Sequence, residues 1–164
     1  MRIAIIIPTL NEEATLGATL DSVCAASELV SQVIVADGGS TDGTIGLAKK
    51  RDVKLIVASQ RGRGCQIAAA LQAVCEPIVL VVHADMIVPP EAPGLIQSRL
   101  ATDAACPGGC LGHRFDSQRL IYRLMEWWDE RRARRGRSFG DQAQFFRRDL
   151  LERQGGFPDQ PIME

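Results

Sequence analysis

Through residues 1–100, short apolar runs alternate with stretches in which apolar positions recur at helical spacing. Ile3–Ile7, Val33–Ala36 and Ile78–Val82 are continuous and rich in Ile and Val, and Lys54–Ala58 adds a fourth run behind a single lysine. Runs this short and this apolar predict strands covered on both faces, as parallel sheets require. Between them Leu16, Leu20, Val23 and Cys24 form one helical stripe, and Thr44–Lys50, Gly64–Val74 and Pro90–Leu100 read as further helices. Pro8 is expected to end the first strand. Asn11 is expected to cap the first helix, with Glu12 and Glu13 in its first turn. This β-α-β-α order predicts an α/β fold: a mostly parallel, Rossmann-like sheet flanked by helices, with right-handed crossovers.

After Ala101 the pattern changes. Cys110–Phe115 is expected to be a strand, Gln118–Arg132 a helix and Gln144–Arg147 a short strand. The layout is one domain over 1–164, with a regular ligand-binding half (1–100) and a less regular half (101–164) that shapes a second site.

Bulk properties add limits. A chain of 164 residues is long enough for one well-buried core. Nineteen basic and twenty acidic side chains give a formal charge of −1, so no global field argues for nucleic acid. Cys24, Cys65 and Cys75 fall in apolar patterns and are expected to act as small hydrophobes. Cys106 and Cys110, with only His113 nearby, fall short of the four ligands that a closed zinc site takes. Met1-Arg2 leads straight into Ile3–Ile7, too short for export or spanning, and no later apolar run approaches the ~18 residues of a transmembrane helix. The expectation is a soluble, cytoplasmic protein in a reducing compartment.

The chemistry lies where strands end. The first is followed by Pro8-Thr9-Leu10-Asn11-Glu12-Glu13, the second by Asp37-Gly38-Gly39-Ser40-Thr41-Asp42-Gly43-Thr44, the third by Arg61-Gly62-Arg63-Gly64, and the fourth by His83-Ala84-Asp85. In a parallel sheet all four sets share one rim, which is where open α/β sheets bind ligands. An acid at a strand exit can accept from a base N–H, and glycines let backbone N–H groups approach a ligand. Arginine forks match phosphate oxygens, and a second acid can hold the cation that neutralises a pyrophosphate. Together they suit a nucleotide diphosphate. Asp42 is more simply a helix cap. Thr41-Asp42-Gly43-Thr44 also has the look of a haloacid-dehalogenase phosphatase loop, but Ser40 stands where that chemistry needs its aspartate nucleophile.

In this order, the motifs resemble the family 2 glycosyltransferases of the GT-A fold, over essentially the whole chain. Gly140-Asp141-Gln142, Gly155-Gly156-Phe157-Pro158 and Pro161-Ile162-Met163-Glu164 look like a subgroup labelled selenium- or radical-SAM-associated transferases. The resemblance implies transfer of a sugar from a UDP- or GDP-type donor to an acceptor hydroxyl, with Mg²⁺ or Mn²⁺ and inversion at the anomeric carbon. It implies that Pro8, Thr9, Asn11 and Glu12 line the nucleoside pocket and that Asp37, with Gly38 and Gly39, reads the base. It implies that Arg61, Gly62 and Gly64 approach the diphosphate and that Asp85 carries the metal. His83 stands where the family's Asp-x-Asp signature has its first Asp, and contacts ribose, phosphate or the metal instead. Asp141 belongs to a substrate loop. The family's base is the Asp of a Glu-Asp pair, and Glu164 takes the place of that Glu, which implies that the acceptor-side half is incomplete. A non-catalytic nucleotide-binding module is the alternative.

One segment has several readings. Leu120, Ile121, Leu124, Met125 and Trp128 share one helical face, ahead of Arg131-Arg132-Ala133-Arg134-Arg135-Gly136-Arg137. The expectation is a core-packed helix with a solvated basic end. The functional alternatives are a loop closing over the diphosphate, which the neighbouring Gly140-Asp141-Gln142 favours, or peripheral contact with an anionic membrane or acceptor.

Overall fold

The computed structural model describes residues 1–26, 28–112, 114–137 and 142–157. Its elements run β1 (Ile3–Thr9), α1 (Leu16–Ala25), β2 (Val30–Asp37), α2 (Thr44–Lys49), β3 (Lys54–Val57), α3 (Arg63–Leu71), β4 (Ile78–Val81), α4 (Ala92–Thr102), β5 (Gly108–Cys110), α5 (Leu120–Ala133), β6 (Gln144–Arg147) and α6 (Arg148–Arg153). One six-stranded sheet runs in the order β3-β2-β1-β4-β6-β5. The first four strands are mutually parallel, while β6 is antiparallel to both β4 and β5.

Alternation along β1 explains the three layers, because successive side chains point to opposite faces. Ile3, Ile5 and Ile7 join Val35, Ile78 and Leu80 under α1, α2 and α4, through Leu16, Leu20, Ala48, Ile96 and Leu100. Ala4 and Ile6 join Ile34, Ala36, Val79 and Val81 under α3, through Ile67 and Ala70. Both faces of the parallel half are therefore covered, which is why its strands are continuous apolar runs.

Several expectations are corrected. Pro8 does not end β1; it pairs with Ala36 inside the strand. The C=O of Ile6 accepts the Val82 N–H on the β4 side, so two residues later Pro8 also faces that side, where β4 has already stopped at Val81. A missing N–H orphans nothing there. Asn11 does not cap α1. It sits at φ +57° and α1 begins at Leu16, after a turn in which the Glu12 C=O accepts the N–H groups of Thr15 and Leu16. Cys65 and Cys106 are buried, but Cys24 and Cys75 are exposed. Cys24 lies one position round from Val23, at the solvent edge of its stripe. The strand expected at Cys110–Phe115 lies instead at Gly108–Cys110, sharing only Cys110 with it, and the helix expected to be core-packed, α5, buries no residue at all.

Candidate functional site

Parallel register carries the sequence motifs to one edge. Thr9 lies opposite Asp37, and Asp37 opposite Val57, so β1, β2 and β3 end in one row. On the other side of β1, β4 ends at Val81 and runs into His83-Ala84-Asp85. From β1 the chain's crossovers go one way to β2 and β3 and then the other way to β4. The gap between the β1 and β4 ends is therefore the topological switch point, where such sheets open a crevice for ligands.

The Asp37 side chain is fully buried, at 0% exposure, and its two oxygens are occupied. Oδ1 accepts the backbone N–H groups of Gly39 and Ser40, each at 2.8 Å. Oδ2 accepts the hydroxyls of Thr9 (3.0 Å) and Ser40 (2.6 Å). A carboxylate offers about four acceptor positions, so the residue expected to read a base also ties β1 to the turn that follows β2. Gly39 makes that turn at φ +92°, and a Cβ on Gly38 would come within 2.7 Å of Gln66 Nε2.

The two loops then lace together. The N–H groups of Asn11, Glu12 and Glu13 donate to the side chains of Ser40 (2.9 Å), Thr44 (2.8 Å) and Asp42 (3.1 Å). In return the N–H groups of Thr41 and Gly43 donate to the side chains of Asn11 and Glu13, both at 2.9 Å. Asp42 also accepts the Thr44 N–H at 3.0 Å and its hydroxyl at 2.5 Å, in the first turn of α2. The Thr44 hydroxyl, with the N–H groups of Thr44 and Glu13, holds the Asp42 carboxyl below its ordinary range against a smaller desolvation effect.

From the other face α3 reaches the same row. Gly62 begins it at φ +126°, and the buried Gln66 donates to the Thr9 C=O at 2.5 Å. Arg61 is exposed beside that turn. The His83–Met86 turn is closed by a 3.2 Å hydrogen bond and pinned to α1, where Thr19 donates to the Ala84 C=O and Ser22 accepts the Val88 N–H. That leaves Asp85 exposed at the rim. Gln66, Thr19 and Ser22 were missed from sequence; the only available signal was a polar side chain at an inward position of an otherwise apolar stripe.

Among the described residues no three His, Cys, Asp or Glu side chains are grouped to hold a metal ion. A preformed cage is thus not what this edge offers. A single exposed carboxylate still fits Mg²⁺ or Mn²⁺ when substrate phosphates supply the other oxygens, which is how such ions bind in nucleotide sites.

A separate cleft of about 1320 Å³ lies between α4, β5 and α5, lined by Leu95, Cys106, Gly109, Trp127, Gln142 and Phe145 among others. Gln142 is 3% exposed, and its Oε1 has no hydrogen-bond partner among the described residues. Asp141 and Glu164 lie outside the described residues.

Residues 4–151 match the family described as Glycosyl transferase family 2. The chain belongs to that family. It is 32% identical over 96 residues to glucosyl-3-phosphoglycerate synthase of Mycobacterium tuberculosis, spanning 53% of this chain and 30% of that protein. It is also 32% identical over 83 residues to an uncharacterized glycosyltransferase of Mycobacterium bovis, spanning 51% and 36%. The chain thus spans about a third of the length of these curated relatives. Among solved structures, the mannosyltransferase PcManGT of Pyrobaculum calidifontis, in complex with GDP-Man and Mn²⁺, superposes with a TM-score of 0.75 at 26% identity, covering 97% of this chain and 48% of that one. The M. tuberculosis synthase in complex with Mn²⁺, UDP and phosphoglyceric acid gives 0.69 at 25%, covering 92% and 57%. The mixed six-stranded sheet flanked by helices is that of these GT-A neighbours, and the M. tuberculosis synthase has also been solved in complex with Mg²⁺ and UDP.

Proposed function

We propose that the chain carries the donor site of a glycosyltransferase that moves a sugar from a nucleotide-diphosphate sugar to an acceptor hydroxyl, with a divalent cation and inversion. One observation carries the reading: the laced loops after β1 and β2 and the pinned His83–Asp85 turn flank the switch point between β1 and β4. Thr9, Asn11 and Glu12 form the nucleoside wall with Asp37, whose contact with a base N–H takes the position now held by the Ser40 or Thr9 hydroxyl. Arg61 and the Gly62–Gly64 turn face the diphosphate. Asp85, with His83 beside it, holds the Mg²⁺ or Mn²⁺, which offsets the charge that develops on the departing diphosphate. Glu164 takes the place of the Glu in the family's Glu-Asp pair, and Asp141 belongs to a substrate loop.

The cleft at Gln142 is the acceptor side, where an acceptor hydroxyl would donate to the Oε1 that has no partner among the described residues. An orphaned buried acceptor costs ~1–3 kcal/mol, so Gln142→Leu is expected to leave the melting temperature level or higher while raising the KM for acceptor.

The decisive experiment is thermal unfolding with UDP or GDP, each with and without Mn²⁺. Saturation near a hundred times Kd is expected to raise Tm by roughly 5–10 °C. Asp85→Asn should lose the Mn²⁺-dependent part of the rise and keep the rest. No shift with either nucleotide sinks the reading. Binding without hydrolysis of any nucleotide sugar would instead identify a non-catalytic nucleotide-binding module.

A further inference from the structure

Helix α1 carries a hydroxyl in the middle of its apolar stripe. Its buried positions are Leu16, Thr19, Leu20 and Val23, and Thr19 is 0% exposed. A threonine inside a helix commonly returns its hydroxyl to a carbonyl of the preceding turn. The Thr19 hydroxyl instead donates across the core to the Ala84 C=O at 2.7 Å, 65 positions along the chain. The hydroxyl of Ser22, one helical turn on, donates to the Thr19 C=O at 2.8 Å and accepts the Val88 N–H at 3.1 Å. One helix face therefore holds one loop at two points, Ala84 and Val88.

Between those points the loop alternates. Ala84 and Val88 are buried in the same cluster as Leu16, Leu20 and Val23, whereas Asp85 and Ile87 are exposed. Turning Ala84 inward is what turns Asp85 outward, and the Ala84 carbonyl buried by that turn has Thr19 as its donor. The bond from the Met86 N–H to the His83 C=O sets the shape of the turn. Thr19 sets its place against α1. In the proposed donor site Asp85 holds the cation, and among the described residues no group of three His, Cys, Asp or Glu surrounds it. A hard cation with so few protein ligands depends on how firmly each one is placed.

We propose that Thr19 is a positioning residue for the Mg²⁺ or Mn²⁺ site: its hydroxyl, through the Ala84 carbonyl, sets where the Asp85 carboxylate meets the cation. This inference rests on the donor-site reading. The nucleoside wall hangs from the other end of α1, where the Glu12 C=O accepts the Leu16 N–H and the Glu12 N–H donates to Thr44. The Thr19 hydroxyl bonds to neither loop of that wall, so its removal should weaken the cation and spare the nucleotide.

The test compares Mn²⁺ binding to the complex with UDP or GDP, read from the free-ion electron paramagnetic resonance signal above that of the nucleotide alone, with calorimetric binding of the metal-free nucleotide. Thr19→Val keeps the branched shape and removes the donor. It is expected to weaken Mn²⁺ at least about tenfold, the range for losing the support of a metal ligand, with metal-free nucleotide affinity unchanged. Thr19→Ser keeps the donor and should restore most of the Mn²⁺ affinity. In an Asp85→Asn background Thr19→Val should cost nothing further, because its effect runs through that carboxylate. A residue that only supports the fold would weaken nucleotide and cation together, or neither, and either result overturns the proposal. So does a Thr19→Val loss that persists in full beside Asp85→Asn. If Asp85→Asn itself leaves Mn²⁺ binding unchanged, the donor-site reading fails and this inference with it. A loss with Asp85→Asn but none with Thr19→Val leaves that reading standing and removes only the positioning role. Should Thr19→Val fail to fold, Ser22→Ala releases the other anchor from a half-buried position and carries the same comparison.

Discussion

Asp37 is the residue on which the site's geometry turns, and its position rather than its type gives it that role. It ends a strand whose last four residues are fully enclosed, so its carboxylate has no water and takes four donors instead. The sequence made the residue conspicuous, an acid directly after Val33–Ala36, but offered no way to see that Thr9 and Ser40 already fill it. Gln66 was invisible for a related reason: its partner, the Thr9 C=O, is 57 positions away. Its neighbour Gly38 makes it testable. Gly38→Ala would drive a Cβ into Gln66 Nε2 and is expected to cost about 1–2 kcal/mol as that hydrogen bond is pushed apart. In Gly38→Ala/Gln66→Ala the obstacle is gone, so denaturant titrations of the double-mutant cycle should give a loss smaller than the sum of the single losses. Additive losses would show that the two residues are not coupled. Asp42, read from sequence as a cap, does accept the Thr44 N–H and adds a bond to the other loop that spacing could not reveal. Its folded carboxyl is held below the usual range by the Thr44 hydroxyl. Lowered folded values stabilise above the unfolded value, about 3.9, and that contribution is lost as pH falls through the folded one. The stability gap between wild type and Asp42→Asn should therefore be level at neutral pH and shrink below about pH 4, as followed by chemical denaturation. A gap that widens in acid would contradict the assignment.

At the scale of elements, burial on both faces is what made the parallel half legible. A strand enclosed by α1, α2 and α4 on one side and α3 on the other has no choice but a continuous apolar run, and β1 to β4 were found within a few residues of their true ends. Pro8 misled because proline usually marks an end, whereas the loss of an N–H matters only where a neighbour needs it. Asn11 misled because a cap and a loop-to-loop bond use the same side chain. Periodicity located α5 but could not say which way its stripe faced, because a helical stripe has the same spacing whether it packs on the chain or, as here, is exposed. The antiparallel edge was the least readable, since β5 is Gly108-Gly109-Cys110 and carries almost no apolar signal. Those glycines are there for clearance. A Cβ on Gly108 would strike the Phe145 backbone carbonyl and lie 2.9 Å from Phe146 Cα, neither of which can swing away. Gly108→Ala is expected to part β5 from β6 and cost roughly 1–3 kcal/mol, the usual range for overpacking. Amide exchange should quicken at 108–111 and 144–147 with β1 and β2 unchanged. Unaltered exchange in β6 would show that the edge accommodates the methyl.

For the whole molecule, the two halves of the sheet are held unequally, and that asymmetry makes ligand binding readable at a distance from the ligand. The fully buried large side chains, from Ile3 and Leu16 to Leu80, Ile96 and Leu100, all belong to the parallel half and its helices. By contrast α5 and α6 bury none. Local opening follows that order: segments with few buried contacts exchange at low free energy, while the central strands open only with global unfolding. In the proposed site the ligand touches four loops that hang from the most stable strands. Binding energy therefore cannot raise protection in β1 or β2 beyond the gain in global stability, about 2.7 kcal/mol at a hundred times Kd. The loops are different, because their opening is local and is suppressed directly by the ligand. With UDP or GDP and Mn²⁺, amides at 10–13, 38–43, 60–63 and 83–86 should slow, and those of α5 should not, since that helix is anchored by hydrogen bonds to Phe115 and Ser117, away from the strand-end row. Uniform slowing over the whole chain would mean that the nucleotide acts only through global stability. Slowing at α5 without change in the four loops would move the site to the cleft beside Gln142 and remove the strand-end crevice as the donor pocket.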